Sequence, residues 1–438
     1  MAATASPIAT ITLPKGFEIQ SVDDKLKPGR GFSTSSTTQS LGVLSHFKGN
    51  WVGNGFNTIW RPSDGTHEFE IPVLNKGGTK SNTPPAIPPN EAILELNLTS
   101  EELSFTKSLG NVPNRGLVDQ KDITLSGVSY TQIIRDVTNI NTGKADGTPQ
   151  EIHFEPGLWM HVPKTNQGAE SLSRMASIPH GTTINAQGPA STTTTKGEPI
   201  FDTNKGAINA NITPFIIGTP DLADLRNQRV IEDFTPTMLV KNKDRARLPQ
   251  DLEKFEKEGT ITDDILKNPN IVLANANKGK SIIDTTTFTV STSPSNPSRS
   301  DSDGISNIAF LEGSSVGSTV GSAETGAIIA PKNADASKMT AQFWISTVQH
   351  EIEVPKFRLG EQPLRITPPA PNPGATVPVF VVNPTREITR PKKILVTSTQ
   401  IQYSQVVNLD FFSLAWPHVS VATLVPAGDI VVPEAAFD

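Results

Sequence analysis

Histidines and one neighbouring carboxylate are the residues of this sequence best suited to bind a metal ion. The chain has 7 histidines and no cysteine, so a metal site would use imidazole and carboxylate ligands. His153, Glu155 and His161 fall on one side of a predicted strand, together with Trp159. At 3.3 Å per residue the two histidines are about 25 Å apart, and Pro156-Gly157 predicts a bulge between them. They can share one ion only if the chain folds back.

Other catalytic signatures are missing from the sequence. There is no Gly-x-Ser-x-Gly elbow or phosphate loop, and the Gly53-x-Gly55 pair lies inside a predicted strand rather than before a helix. Arg135 and Asp136 point to opposite faces of a strand, so they form no acid–base pair. The absence of cysteine removes disulfides, zinc–thiolate sites and thiol nucleophiles. Whether the protein is an enzyme stays open at this point.

The composition predicts a mainly β protein of more than one domain. The chain has 438 residues, of which 35% are hydrophobic and 19% charged, and this length predicts two or three domains. Thr, Ser, Asn, Gly and Pro fill the remainder, and they suit strands joined by many turns. Long helices would need more Ala, Leu, Glu and Lys.

Charge and hydropathy together argue against a nucleic-acid partner and a membrane partner. The net charge is -6, and no basic stripe is available to displace counterions from nucleic acid. No apolar window reaches the roughly 18 residues of a membrane span. The first residues lack the pattern of a secretory signal. We therefore expect no nucleic-acid partner, no membrane partner and a cytoplasmic location.

Four segments follow from the pattern of strands, turns and charges. Residues 1–40 form a Ser/Thr-rich extended arm, which is a possible contact between copies of the chain in a homo-oligomer. Residues 41–218 form one antiparallel β-barrel. Residues 219–279 form a short helical connector, and residues 280–438 form a second β-barrel or β-sandwich unit.

The first barrel is predicted from short strands spaced at about 8–12 residues. Gly49–Trp60 is a strand with internal glycines, which mark the bends that a small barrel needs to close. Such a barrel encloses a lumen that would hold a flat apolar ligand. The aromatic residues expected to line this lumen are Trp51, Phe56, Tyr130 and Trp159.

The connector contains residues that mark helix ends, and the second unit contains the alternation of a β-strand. Pro249 begins a helix that ends at Gly259, Thr262 caps a second helix and Pro269 opens a third. In the strand from Ile394 to Phe412, apolar and polar residues alternate, which indicates an antiparallel sheet with one apolar face.

Four short motifs follow one another in the first unit, at Phe47–Gly55, Glu102–Phe105, Tyr130–Gln132 and Ile152–Trp159. In order and spacing they resemble the nitrobindin-type haem-binding β-barrels, within the wider lipocalin-like (calycin) group. The resemblance covers residues 43–165. It implies an antiparallel barrel with a lumen and, as cofactor, a haem whose iron is held by a histidine.

Two histidines are candidates for that haem ligand. His180 precedes a strand, where a position on the barrel rim would let it reach a cavity, and His418 follows a Trp-Pro pair. The alternatives are a turn histidine bonded to backbone for His180 and a packing role for His418.

Three functions stay open. The first is binding of haem or another hydrophobic small molecule in a barrel lumen. The second is a lipocalin-like isomerase or cyclase that works without a charged catalytic dyad. The third is a structural, self-assembling protein.

Overall fold

The computed structural model describes residues 41–62, 92–166, 168–201, 253–292, 304–307, 335–372, 374–411 and 414–437. All of these residues lie within one unit, Gln39–Asp438. The predicted arm at residues 1–40 lies outside the described residues, as does much of the predicted connector. The arm and the oligomer contact expected through it stay predictions.

Strands dominate the described residues, as the composition predicts. In chain order they are β1 (Gly49–Pro62), β2 (Ala92–Phe105), β3 (Leu109–Asn114), β4 (Ile123–Asp136), β5 (Gln150–Val162), β6 (Ser171–Ile178), β7 (Thr182–Pro189), β8 (Thr193–Lys196), β9 (Ser281–Ser291), β10 (Ile305–Asn307), β11 (Asp335–Val354), β12 (Leu364–Ile366), β13 (Phe380–Val382), β14 (Lys392–Phe411), β15 (Leu414–Pro426) and β16 (Ile430–Val431).

Ten of these strands close into one antiparallel barrel. Its order is β1, β2, β4, β5, β6, β7, β9, β11, β14 and β15, and β15 pairs with β1 again. The β7–β9 contact that closes the ring is short and joins Gln187 to Ser291. A Cβ on Gly188 would lie 1.9 Å from the carbonyl oxygen of Thr289, so this closure requires glycine.

The prediction of two barrels is wrong for the described residues. The strands expected to form a second barrel (β9, β11, β14 and β15) complete the first one, because they fill the gap between β7 and β1. Alternation along a strand shows which residues share a face, but it does not show which strands pair. The inward apolar faces of both segments meet in one barrel interior.

A small second sheet and several short helices surround the barrel. The sheet has the order β12, β13, β16, and it packs with one end of β11 and β14 around a separate apolar cluster that includes Phe357 and Phe380. The helices of the described residues are the 3₁₀ helix η1 (Gly42–His46), α1 (Glu253–Glu258), α2 (Asp263–Lys267), α3 (Asn270–Asn277) and the 3₁₀ helix η2 (Glu434–Phe437). None of these helices is both long and apolar enough to cross a membrane.

The helix signals at Gly259, Thr262 and Pro269 correspond to observed helix ends, whereas Pro249, the predicted start of the first helix, lies outside the described residues. Gly259 follows α1 with a left-handed φ of +71°, a conformation that glycine adopts without strain. The Thr262 hydroxyl accepts a hydrogen bond from the Ile265 N–H and caps α2. Pro269 lies immediately before α3, and α3 packs on β15 and β1.

Much of the barrel wall is buried on both faces. In β14, Ile401 and Tyr403 face the interior, whereas Gln400 and Gln402 face outward and are nevertheless buried. Alternation alone would place the apolar Leu98 of β2 inside the barrel and the charged Glu101 outside. The structure shows the reverse, because Leu98 is on the outer face and Glu101 faces the lumen. The α helices and the small sheet supply the outer packing that makes this arrangement possible.

Candidate functional site in the barrel lumen

Direct contacts between non-neighbouring strands fill the barrel lumen. The rings of Trp159 on β5 and Phe343 on β11 lie 5.3 Å apart. Arg174 on β6 donates to the Gln405 side chain on β14 over 2.6 Å. Because β5 and β6 are not adjacent to β11 and β14 in the ring, these contacts cross the interior. The lumen is therefore a packed core with an aromatic end and a polar end.

Residues 41–47, which include η1, close the aromatic end, and we call them the plug. The Leu44 side chain is fully buried, and the Phe47 ring stacks on Phe105 with ring centroids 4.7 Å apart. Gly42, the first residue of η1, and Gly49, the first residue of β1, have left-handed φ angles of +56° and +69°. The plug thus has one glycine near its start and another just beyond its end, and both permit unusual backbone angles.

One side-chain bond anchors the chain just after the plug. The Trp51 indole N–H donates to the Lys48 carbonyl oxygen over 2.9 Å. Trp51 is itself buried in the lumen cluster. The bond therefore ties a lumen residue at the start of β1 to the residue that follows the plug.

A buried ion pair separates the aromatic end from the polar end. The Arg174 guanidinium donates to the Glu155 carboxylate over 2.6 Å and to the Tyr130 hydroxyl over 2.9 Å. The Tyr130 hydroxyl donates in turn to Glu155, and His153 lies 3.2 Å from the other carboxylate oxygen. Exposure is 0% for Glu155 and 4% for Arg174. Each charge thus has a partner in a site that is almost fully buried, as buried charges require.

This network sets the protonation of its members. Burial alone would raise the pKa of Glu155, but Arg174 and the bond to His153 outweigh it and hold that pKa well below the usual range. Burial raises the pKa of Tyr130, so its hydroxyl keeps the proton that it donates. Glu155 is therefore an anion and Arg174 a cation across the working pH range.

A second buried carboxyl, Glu101, lies in the lumen and forms no ion pair within the described part of the chain, although the charge of His153 reaches it. Its carboxyl accepts from the Tyr403 hydroxyl over 2.8 Å and from the Gln132 side-chain amide over 3.1 Å. Gln132 also donates to the Tyr403 oxygen over 3.0 Å. Burial raises the pKa of Glu101 to about 7, although both hydrogen bonds oppose the increase. Near neutral pH this carboxyl therefore exchanges between its protonated and ionised forms.

A small cavity remains where the two ends meet. Its volume is about 20 Å³, which is enough for about one water molecule. The residues lining it are Phe47, Leu103, Phe105, Tyr130, Gln132, Trp159, Arg174, Phe343, Ile401 and Tyr403.

Three histidines gather at the polar end. The rings of His153 and His180 stack with centroids 6.4 Å apart. His418 lies close enough to both for their charges to lower its pKa, and burial is the larger cause of a pKa of about 3. Its Nε2 is 2.9 Å from the Asn57 amide nitrogen. No group of three metal ligands forms among the described residues.

The structure brings together three of the four predicted lumen residues. Trp51, Tyr130 and Trp159 all belong to the buried interior cluster. Phe56 does not, since it is an odd number of residues from Trp51 along β1 and lies opposite Val421 on the outer face. The placement of Phe56 in the lumen is therefore wrong, because side chains alternate between the two faces of a strand.

The bulge expected at Pro156-Gly157 is also absent. The β4–β5 register runs without a shift from Glu155 to His161, and the irregularity lies nearer the start of β5. Gly157 instead leaves room for the Tyr130 ring, whose atoms a Cβ at this position would approach to 2.4 Å. His153, Glu155 and Trp159 consequently share the interior face, as their spacing predicts.

Two charged residues of the lumen were missed from the sequence. Glu101 and Arg174 stand in strands where polar residues normally indicate a solvent-facing side. Tyr403, in contrast, lies on the face that the alternation in its strand predicts to be apolar. Two signals could have identified the charged residues. Glu101 occupies the same face as Leu103, and the predicted inward carboxylate Glu155 needs a cation once it is buried.

Comparisons with known proteins give no further guidance: no family model, no curated protein and no solved structure matches this chain. The predicted membership of the nitrobindin-like group therefore stays a prediction.

A haem does not fit the described residues in this conformation. The cavity of about 20 Å³ is far below the roughly 300 Å³ at which small-molecule pockets begin. The His418 Nε2, which would bind iron, is already 2.9 Å from Asn57 and 3.3 Å from the Ser420 hydroxyl. Haem as a cofactor stays a prediction that an absorption spectrum of the purified protein can test.

Proposed function

We propose that the barrel binds a small, mostly apolar molecule with one hydrogen-bonding group in its lumen, and that the plug withdraws to admit it. The observation that carries this proposal is the central cavity, which has aromatic rings on one side and a buried polar network on the other. Ligand sites usually combine an apolar wall with a few convergent polar groups. Buried ionisable networks of this kind are also common at functional sites.

The polar wall offers both donors and acceptors to such a ligand. Gln132, Arg174 and the two tyrosine hydroxyls reach the cavity.

Withdrawal of the plug would enlarge the cavity to the size that a ligand needs. Phe47 contacts the cavity directly, and its ring and the Leu44 side chain occupy the end of the lumen that a ligand would use. The apparent affinity then equals the intrinsic affinity multiplied by the fraction of molecules with an open plug. Shortening the Phe47 side chain should therefore strengthen binding, since the variant no longer has to expel a ring.

Calorimetric titration with indole, a flat apolar molecule with one N–H donor, tests this proposal. We expect Phe47→Ala to bind indole at least about 10-fold more tightly than the unmodified protein, because engineered apolar cavities of about 150 Å³ bind single aromatic rings. Phe380→Ala is the matched control, since it removes a buried ring from the separate outer cluster.

Tighter indole binding by Phe47→Ala alone supports a ligand site in the lumen. Equal affinity in all three folded proteins, an equal gain in both variants, or a gain only in Phe380→Ala would reject it. Mass spectrometry of an organic extract of the protein identifies a natural ligand, and a Soret band in the same sample would identify that ligand as haem.

A second candidate function is proton-transfer catalysis on the bound molecule. The observation that favours it is Glu101, a buried carboxyl whose pKa is raised to about 7 by burial, near the optimum for a general acid or base at neutral pH. This matches the isomerase alternative, which has no need of a charged dyad. With a ligand identified, Glu101→Gln should keep binding and lose turnover; loss of both together would favour a binding role only.

The self-assembly alternative depends on the arm at residues 1–40, which lies outside the described residues. Light scattering of the full chain before and after removal of the arm decides it.

A further inference from the structure

The outer surface of the barrel holds a lysine in unusual surroundings. Lys280 lies between α3 and the start of β9, and its ammonium donates to the Gln400 side-chain oxygen over 2.5 Å. Gln400 is on the outer face of β14, opposite in direction to the lumen residues Ile401 and Tyr403. This place is therefore separate from the proposed ligand site in the lumen.

The partners of Lys280 are neutral amides. Gln400 donates to the Asn277 side-chain oxygen over 2.9 Å, and Asn277 donates to the Gln402 side-chain oxygen over 3.1 Å. All three amide side chains are almost fully buried. No described carboxylate forms an ion pair with Lys280, in contrast to Lys393, which pairs with Glu351 over 2.7 Å.

A second basic group shares this region. His350 on β11 lies close enough for the charge of Lys280 to lower the pKa of its ring, after burial as the larger cause. The His350 Nε2 is 2.8 Å from the Ser398 hydroxyl, and its ring is 5.4 Å from that of Phe380. A positive charge on Lys280 thus faces neutral amides and a neutral imidazole.

These surroundings favour the neutral amine. Burial lowers the pKa of Lys280 to about 8, whereas its side chain keeps partial exposure to solvent. A neutral amine is a nucleophile, and partly buried lysines with a low pKa are the ones that form Schiff bases.

We propose that Lys280 is a covalent attachment site for a small aldehyde. The Nζ lone pair attacks the carbonyl carbon, and a proton moves from nitrogen to oxygen to give a carbinolamine. Loss of water then breaks the C–O bond and forms the C=N bond of an imine. The reaction needs no oxidant or reductant and reverses by hydrolysis. The neutral amides around Lys280 supply acceptors and donors but no competing charge.

Reductive trapping tests this proposal on the full-length protein. The probe is acetaldehyde with sodium cyanoborohydride between pH 6 and pH 10, and peptide mass spectrometry measures the rate at each lysine. At pH 7 we expect Lys280 to react about 10- to 100-fold faster than Lys393, because the bond to Glu351 raises the pKa of Lys393 above its ordinary value and that lysine is almost wholly protonated there. The Lys280 rate should level off above about pH 8, while the Lys393 rate continues to rise.

A variant that restores a counter-charge provides the control. Gln400→Glu places a carboxylate beside Lys280, which should raise its pKa and reduce its labelling rate at pH 7 towards that of Lys393. Lys280→Arg should remove the fast site and leave the other lysines unchanged.

The pH profile of the unmodified protein decides the matter even if the Gln400→Glu variant fails to fold. No labelling of Lys280, or a profile that coincides with that of Lys393, overturns the proposal. Neither result bears on indole binding in the lumen.

Discussion

At the scale of single residues, the two lumen carboxyls should differ sharply when each is replaced. Glu155→Gln leaves the Arg174 cation buried without its anion, and removing one partner of a buried pair costs about 3–5 kcal/mol. Glu101→Gln removes a carboxyl that is already half protonated near neutral pH, so its cost at pH 7 should be under about 1.5 kcal/mol. Urea unfolding at pH 7 measures both free energies, and equal costs would contradict this assignment of charge.

The pH dependence of stability should also distinguish Glu101. Burial raises its folded-state pKa to about 7, above the unfolded value near 4.3. Between these values the folded protein binds more protons than the unfolded chain, so the contribution of Glu101 to stability falls as the pH rises. The free energy of unfolding of the unmodified protein, minus that of Glu101→Gln, should decrease by roughly 3 kcal/mol from pH 4.5 to pH 8.

The comparison with Glu101→Gln is needed because other groups act in the opposite direction. Burial lowers the pKa of His418 to about 3 and of His350 to about 4. The unfolded chain therefore binds more protons at these sites below about pH 6.5, and their effect raises stability as the pH rises. Subtracting the free energy of unfolding of Glu101→Gln from that of the unmodified protein cancels the contribution of the histidines. A difference that stays constant across the pH range would exclude a raised pKa for Glu101.

At the scale of elements, the packing of β4 on β5 depends on one glycine. A Cβ at Gly157 would lie 2.4 Å from the Tyr130 ring, so Gly157→Ala must displace the ring that bonds Arg174 and Glu155. We expect a loss of about 1–3 kcal/mol, the usual cost of overpacking a core. Gly110→Ala in β3 is the matched control, because a Cβ there meets nothing within 4 Å. Thermal unfolding compares the two variants, and an equal effect would contradict the close contact.

The strands themselves were largely predictable from the sequence, whereas their partners were not. Period-two alternation and turn residues mark β1, β5 and β14 correctly, since these signals are local. Pairing of β9 with β7 joins segments that lie far apart in the chain, and no local pattern encodes it. The charged lumen residues were also missed, because Glu101 and Arg174 face inward and are buried, which is uncommon for charged side chains.

At the scale of the whole molecule, one shared interior should make the two halves of the chain unfold together. Phe105 from β2 and Phe343 from β11 belong to the same buried cluster and have the same exposure of 6%. Replacing either by alanine should cost about 3–5 kcal/mol. Closure of the barrel requires strands from both halves. Each variant should therefore show one unfolding transition with a lower midpoint, and not two transitions of which only one is shifted.

Far-UV circular dichroism and tryptophan fluorescence followed in parallel measure this cooperativity. Trp51 and Trp159 report on the first half and Trp344 on the second, so coincident curves from both probes indicate one unit. Two separate barrels would unfold in two steps, and Phe343→Ala would then shift only the step of the second half. An open sheet left by unfolding of either half would expose unpaired strand edges, which gives the physical reason to expect a single step.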